Sequence, residues 1–305
     1  MSINIATIGC HGNDTLTLRP YNLLMPNTIS QLLQLGSEQL SPTSDSARLD
    51  SEILLAYVLQ ENRTYLFTWP EKTLTTTQHQ CFIDLLERRR SGEPIAYIVG
   101  EQEFWSMSLR VTPDTLIPRP ETELLVELCL EKITPGTNKK ILDLGTGSGA
   151  IALAIAKECP ECQVTGIEQS RQALIIAEGN AQNLKIKNVN FQHGHWFQQI
   201  ATDDNFDIIV SNPPYIAIHD PHLSQGDVRF EPETALTSGL DGLDDIRKIA
   251  SQARRFLATD GWLLLEHGYD QSTLITELLT SLNYKNITDH NDLANLPRVV
   301  VAQYH

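Results

Sequence analysis

The sequence lacks any apolar run long enough to cross a bilayer, and its first residues show no basic segment followed by an apolar stretch. It also lacks an excess of basic residues, since 38 Asp and Glu against 23 Lys and Arg leave a net charge of -15. Proteins that grip nucleic acid neutralise phosphates with clustered Lys and Arg, so this balance argues against that class. We therefore expect a cytoplasmic protein that binds neither membranes nor nucleic acid directly.

Cysteine is scarce, with five residues in no regular framework, which suits a reducing compartment better than a secreted scaffold. Cys159 and Cys162 have CxxC spacing, but a zinc site needs two further ligands at similar spacing and none follow. The pair is interpreted as a helix end that runs into a turn at Pro160. No metal site is predicted.

The length of 305 residues suits two domains. Residues 1–24 are polar and unpatterned, and we expect a disordered tail there. Over residues 25–96 apolar positions recur three and four apart, after a helix start between Asn27 and Ser30, which predicts a small helical domain. The basic run Arg88–Arg90 is interpreted as the solvated face of one of these helices.

The pattern changes at Tyr97, where aromatic and branched residues alternate with polar ones. This alternation predicts a β-hairpin linker over residues 97–115. From residue 116 to 305, short branched runs such as KILDLG and FDIIVS alternate with helical patterns. Such alternation predicts an α/β domain, a doubly wound sheet with crossover helices on both faces.

A glycine-rich turn, DLGTGSGA, follows the first strand of this domain and opens a helix. Gly145, Gly147 and Gly149 allow a tight turn and a close approach of ligand to backbone. The same letters also satisfy a dinucleotide fingerprint, so the turn alone leaves the ligand open. Glu168 ends the next strand, where an acid that binds ribose hydroxyls is expected. Asp143 either orders the loop or meets the cofactor through water.

The most specific motif is Asn212-Pro213-Pro214-Tyr215, which follows the strand FDIIVS. Two prolines stiffen the loop and hold the preceding residue extended. The Asn212 side-chain oxygen and the Pro213 carbonyl can each accept one N–H of a substrate NH2 group, which aligns its nitrogen for methyl transfer. Tyr215 would flank the planar group.

These residues resemble the release factor glutamine methyltransferases of the HemK/PrmC type. The resemblance runs from about Pro26 to the C-terminus through AYIVGEQEFW, LIPRPETELLVE, DLGTGSGAIALA, SNPPYI, RFEPETALTSGLDGLDDIRKI and LLLEHG. It implies a class I methyltransferase-like sheet, mostly parallel with an antiparallel C-terminal strand. It also implies transfer of a methyl group from S-adenosylmethionine, leaving S-adenosylhomocysteine, to the glutamine amide nitrogen (N5) in the GGQ loop of class I peptide chain release factors.

The resemblance also implies site residues. The expected cofactor contacts are Gly145, Thr146, Gly147, Ser148, Gly149, Glu168, Trp196 and Asn212, and the expected substrate contacts are Asn212, Pro213, Pro214 and Tyr215. In the family the helical N-terminal domain helps hold the release factor, and we expect a monomer. Two positions depart from the family pattern: Glu168 stands where Asp is commoner, and His195 replaces an Asp before Trp196.

Three alternatives remain open at this point. The same acceptors would serve an adenine-N6 or guanine-N2 nucleic acid methyltransferase acting on a flipped base. A dinucleotide-dependent oxidoreductase would account for the glycines but has no need of the NPPY motif, and a cofactor-sensing module would need no acceptor motif.

Arg119, Glu121 and Glu123 belong either to the site or simply to a helix start after Pro120.

Overall fold

The computed structural model describes residues 26–305, which form two compact units divided between Val99 and Gly100. The tail expected over residues 1–24 lies outside the described residues. Within residues 26–305, no helix has both the length and the apolar character needed to cross a membrane.

The first unit is helical, as its apolar spacing predicts. The capping box between Thr28 and Gln31 sets the start of its first helix, inside the predicted segment. Leu32, Leu54 and Phe82 are fully buried in one shared core. The helices are α1 (Ile29–Leu40), α2 (Ala47–Leu59), α3 (Arg63–Thr68), α4 (Thr76–Arg90) and α5 (Ile95–Val99).

The interpretation of Arg88–Arg90 as a solvated face is wrong for the middle residue. Arg89 is buried and donates to Asp50, itself buried in α2, over 2.7 Å. The hydroxyls of Ser44 and Ser46 also donate to this carboxylate. A helix places neighbouring residues about 100° apart, so one member of a basic run can face the core while the others stay in water.

The hairpin begins later than the expected start at Tyr97. Tyr97 lies in the short helix α5 and its amide donates to the carbonyl of Pro94 just before that helix, and Gly100 follows with a φ of +80°. Strands β1 (Glu101–Phe104) and β2 (Met107–Arg110) then pair antiparallel, as part of the second unit.

The second unit is built on a seven-stranded sheet of order β5-β4-β3-β6-β7-β9-β8. Neighbours are parallel except for β9, which runs antiparallel to both β7 and β8, and this confirms the predicted fold class. The polar edge strand β8 is the one strand that the hydrophobic pattern did not reveal. The strands are β3 (Lys140–Leu144), β4 (Gln163–Glu168), β5 (Val189–His193), β6 (Phe206–Ser211), β7 (Leu257–Glu266), β8 (Lys285–Asn291) and β9 (Pro297–Tyr304).

Helices cover both faces of this sheet. Alternate residues of one strand enter different cores: Ile141 packs with the helices on one face and Leu142 with those on the other. The helices are α6 (Glu123–Glu131), α7 (Ala150–Glu158), α8 (Arg171–Leu184), α9 (Asp244–Ala253) and α10 (Ser272–Ser281). The chain leaves β3 towards β4 and returns on the other side as β6, so the loops after β3 and β6 diverge. Ligands of open α/β sheets bind in the crevice that such a switch point creates.

Candidate active site

A cavity opens at this switch point, at the carboxyl ends of the strands. It brings together the glycine turn after β3, the acid that ends β4, the loop after β5 and the NPPY motif after β6. Its lining residues include Gly145, Gly147, Glu168, Ser170, His195, Trp196, Asn212 and Pro214. Gly145 and Pro214, which are 69 positions apart in the chain, therefore share one cavity, as the topology requires.

The glycine turn is tightly formed. Gly145 has a φ of +73°, which L residues with side chains rarely adopt, and its amide donates to the carbonyl of Ile167 over 2.9 Å. A Cβ atom at Gly145 would lie 3.3 Å from the Trp196 ring. Glycine at this position therefore permits both the backbone conformation and the close approach of the indole.

Glu168 ties this turn to the next one. Its Oε2 accepts from the Gly147 amide over 2.9 Å, and its Oε1 accepts from the Ser170 amide over 2.8 Å. The side chain is largely buried yet lines the cavity. Each carboxylate oxygen has a second lone-pair direction, so Glu168 can still accept hydroxyl donors from a ligand.

Trp196 also lines this cavity. Its indole N–H donates to Asp245 in α9 over 3.3 Å, which holds the ring against Gly145. The neighbouring His195 also lines the cavity, with its ring tilted against the indole at a centroid distance of 5.3 Å. The substitution of His for the family's Asp therefore falls at a position in contact with the cavity.

Asn212 lies between two adjoining cavities. With Pro214 it lines the first, and with Pro213 and Tyr215 it lines a second that also shares Leu116 with the first. The Asn212 amide donates to the hydroxyl of Thr122 over 3.3 Å. Because the nitrogen of this amide is engaged, its oxygen is available to a group in either cavity.

Tyr215 is anchored from the loop and strand next to it. Its hydroxyl donates to Glu266, the last residue of β7, over 3.3 Å, and its backbone carbonyl accepts from the Gln271 side chain over 2.9 Å. Burial raises the pKa of Tyr215, and the nearby Glu266 carboxylate adds to the rise. The phenol therefore stays protonated and acts as a donor at neutral pH.

An ion pair joins two loops around the second cavity. Arg119 lines the cavity and pairs with the fully buried side chain of Glu231, which also accepts from the Ile117 amide over 3.1 Å. Burial raises the pKa of Glu231, and the charge of Arg119 opposes that rise. Glu121 and Glu123, which the sequence assigns either to the site or to a helix start, differ in environment. Glu123 accepts from the Trp105 amide in the hairpin, and Glu121 is exposed.

Three expected cofactor residues lie outside the cavity lining. Thr146 and Ser148 are buried, and the Thr146 hydroxyl donates to Asp143, so this acid orders the turn from behind. Gly149 has a φ of +86° and is the N-cap residue before α7. The remaining expected residues line one or both cavities.

Sequence reasoning did not single out Thr122, Glu231 or Glu266, which contact the expected site residues. Glu231 lies in the RFEPETAL segment and Glu266 in LLLEHG, so the motifs that carry the resemblance contained them without indicating a role. Their chemical context depends on partners far away in the chain, and no local spacing reveals it.

Comparison with known proteins agrees with this architecture. A family model described as the PrmC N-terminal domain matches residues 31–100, and one described as a methyltransferase domain matches residues 135–301. A release factor glutamine methyltransferase of Vibrio cholerae is 51% identical over 281 residues, covering 92% of this chain and 98% of the relative. One from Pseudomonas aeruginosa is 50% identical and covers 86% of this chain and 95% of its own length.

Among solved structures, a methyltransferase from Pyrococcus furiosus aligns with a TM-score of 0.51 at 18% identity, covering 72% of this chain and 98% of that one. That likeness supports the fold alone. The sequence relatives go further, because they are about half identical along nearly the whole chain. On this basis the chain belongs to the release factor glutamine methyltransferases.

Proposed function

We propose that the chain transfers the methyl group of S-adenosylmethionine to the side-chain amide nitrogen of the glutamine in the GGQ loop of class I release factors. The observation that carries this proposal is the position of Asn212, whose amide lines both the glycine-turn cavity and the adjoining one. A donor of a methyl group and an acceptor nitrogen can meet only where two such cavities join.

The first cavity fits S-adenosylmethionine. Glu168 offers carboxylate oxygens to the ribose hydroxyls, and Gly147 leaves open space in which the ligand can approach the backbone. Trp196 offers an aromatic surface for the adenine. When bound, the cofactor supplies an electrophilic methyl group on a positively charged sulfur.

The second cavity fits a planar, neutral amide. The Asn212 oxygen and the Pro213 carbonyl accept the two N–H groups of the glutamine, and Tyr215 flanks its plane. The amide nitrogen is a poor nucleophile because its lone pair is delocalised. Two fixed acceptors align it and favour the positive charge that develops as the new C–N bond forms, before the nitrogen loses a proton.

Glutamine is favoured over a nucleic acid base as the acceptor. Both offer an NH2 group, so the site geometry alone admits either. The net charge of -15 disfavours a phosphate backbone, and the relatives with about half of their residues identical are named for release factors. The proposal implies a role in translation termination and hence a cytoplasmic location. The helical unit would help hold the release factor.

The test is transfer of labelled methyl from S-adenosylmethionine to a purified class I release factor. A release factor with the GGQ glutamine changed to alanine and a DNA duplex serve as parallel acceptors. We expect label on the unaltered release factor and none on the others. Label on DNA, or on the alanine variant to the same extent, would overturn the proposal.

A further inference from the structure

A buried carboxylate stands directly behind the acceptor motif. Ser211 of β6 pairs with Leu265 of β7, so the next residues, Asn212 and Glu266, lie at the same level on neighbouring strands. Glu266 is only 1% exposed, and its Oε2 lacks a hydrogen-bond partner. A buried acid is costly unless its neighbours stabilise it, so its retention beside Asn212 requires a physical explanation.

Glu266 is connected to two residues of the acceptor site. The Tyr215 hydroxyl donates to its Oε1 over 3.3 Å, and the hydroxyl of the buried Thr122 faces the same carboxylate and lowers its pKa. Thr122 in turn accepts a hydrogen bond from Asn212 Nδ2 over 3.3 Å. The Thr122 hydroxyl therefore stands between the Glu266 carboxylate and the Asn212 amide.

The orientation of the Thr122 hydroxyl follows from the number of protons available. An ionised carboxylate only accepts, so Thr122 must direct its single hydroxyl proton towards Glu266. Its lone pairs then face Asn212, which must present N–H rather than oxygen. The Asn212 oxygen consequently points away from Thr122 and is left for the substrate.

We propose that Glu266 is a positioning residue that, through Thr122, fixes the orientation of the Asn212 amide so that its oxygen receives the substrate N–H. The same carboxylate holds the Tyr215 hydroxyl and with it the ring beside the substrate. This inference rests on the proposed function, because it concerns the same acceptor. A protonated Glu266 would donate to Thr122, so that the Thr122 proton turns to Asn212 and favours the opposite amide orientation, in which the Asn212 NH2 group faces the substrate NH2 group.

The charge environment makes this orientation dependent on pH. Burial raises the pKa of Glu266 to about 7, and the hydrogen bond from Thr122 opposes the rise. The carboxylate is therefore ionised above about pH 7 and protonated below it, so turnover should fall as the pH falls through this value. The charged or titratable groups that face Glu266 are Arg298 from β9, Glu121 before α6 and Tyr215, and the adjacent His267 is paired with Asp289.

The experiment compares four variants in the methyl-transfer assay with a release factor. Thr122→Val keeps the shape of the side chain and removes the hydroxyl, whereas Thr122→Ser keeps the hydroxyl. Glu266→Gln removes the charge. Asp207→Asn is the matched control, because this carboxylate lies near the start of β6, at the end of the strand away from the cavity, and pairs with Lys139.

We expect Thr122→Val and Glu266→Gln to lower kcat about 10- to 100-fold, since the first removes the hydroxyl and the second replaces a charged acceptor oxygen by an NH2 group that cannot accept. The Kd for S-adenosylhomocysteine should stay within about threefold of the unaltered value. Thr122→Ser should recover most of kcat, and Asp207→Asn should match the unaltered enzyme. The decline of kcat below pH 7 should be absent from Glu266→Gln.

Three results would overturn the inference. The first is a kcat for Thr122→Val and Glu266→Gln above half the unaltered value, and the second is an acidic decline that persists in Glu266→Gln. The third is a parallel loss of cofactor affinity, which would show a structural role instead. An unaltered enzyme that fails to methylate the release factor would refute the proposed function, and this inference with it. Activity in that enzyme with unaffected variants would refute this inference alone.

Discussion

Replacement of Glu168 by Gln should weaken cofactor binding and should also lower the stability of the protein without ligand. In the structure both carboxylate oxygens accept backbone N–H groups, one from Gly147 and one from Ser170. A Gln side chain has only one oxygen. Whichever way the amide turns, its NH2 group meets a backbone N–H, and two donors then face each other.

The magnitude follows from the kind of bond that is lost. A hydrogen bond to a charged group contributes about 1.5–3 kcal/mol, and Glu168 is 8% exposed, so little of this is lost to solvent. A ribose hydroxyl that donates to this carboxylate also makes a hydrogen bond to a charged group, and since about 1.4 kcal/mol corresponds to a factor of ten, weakening that bond should raise the Kd for S-adenosylmethionine about 10- to 100-fold. The backbone hydrogen bond is lost with or without ligand, so its loss lowers the stability of the protein rather than its affinity. The free energy of unfolding without ligand should fall by about 1.5–3 kcal/mol.

Calorimetric titration with S-adenosylmethionine and urea unfolding without ligand measure the two effects independently. Glu168→Asp is the matched control, because it keeps both oxygens and the charge while shortening the side chain by one methylene. It should bind more tightly than the Gln variant. A Gln variant whose Kd for S-adenosylmethionine and whose equilibrium constant for unfolding both stay within a factor of two of the unaltered values would refute the reasoning. An Asp variant that binds the cofactor more weakly than the Gln variant would also refute it.

Three further predictions test other parts of the molecule. Asn212→Ala should lower kcat about 100-fold in single-turnover methyl transfer, with a much smaller change in cofactor Kd, because the side chain holds the acceptor; unchanged turnover would remove the mechanism. Arg89→Met should lower the free energy of unfolding by about 3–5 kcal/mol in urea titrations, because Asp50 is left buried without its charged partner, and replacing Asp50 as well should recover part of the loss. Gly149→Ala should cost about 1–3 kcal/mol of stability by thermal unfolding, because its φ is +86° and the new Cβ would lie 3.1 Å from Leu153; an unchanged melting temperature would contradict this.

The hydrophobic pattern predicted most elements of the fold because it reports directly on which face of an element is buried. The runs at Ile141 and Ile208 are branched and nearly continuous, as strands covered on both faces must be. The edge strand β8 escaped prediction for the same reason. Its residues are mostly polar or exposed, and it joins the sheet by pairing with β9.

The boundary of the hairpin shows a second limit of local patterns. The letters AYIV at the end of α5 suit a strand as well as a helix, because branched and aromatic residues favour strands. The helical turn forms there because the amides after Pro94 donate to its carbonyl and because Gly100 can end the turn with a positive φ. Both effects outweigh intrinsic preference in so short a segment.

The sequence by itself determined the order of the elements, the glycine turn and the acceptor motif, because each depends on residues that are neighbours in the chain. Only the tertiary structure decided which of these residues share a cavity and which stand behind it. Arg119 and Glu231 are 112 positions apart, and Tyr215 and Glu266 are 51 apart. A buried charge acquires its role from the partners that folding brings to it, and those partners are set by strand order and register, which no local spacing encodes.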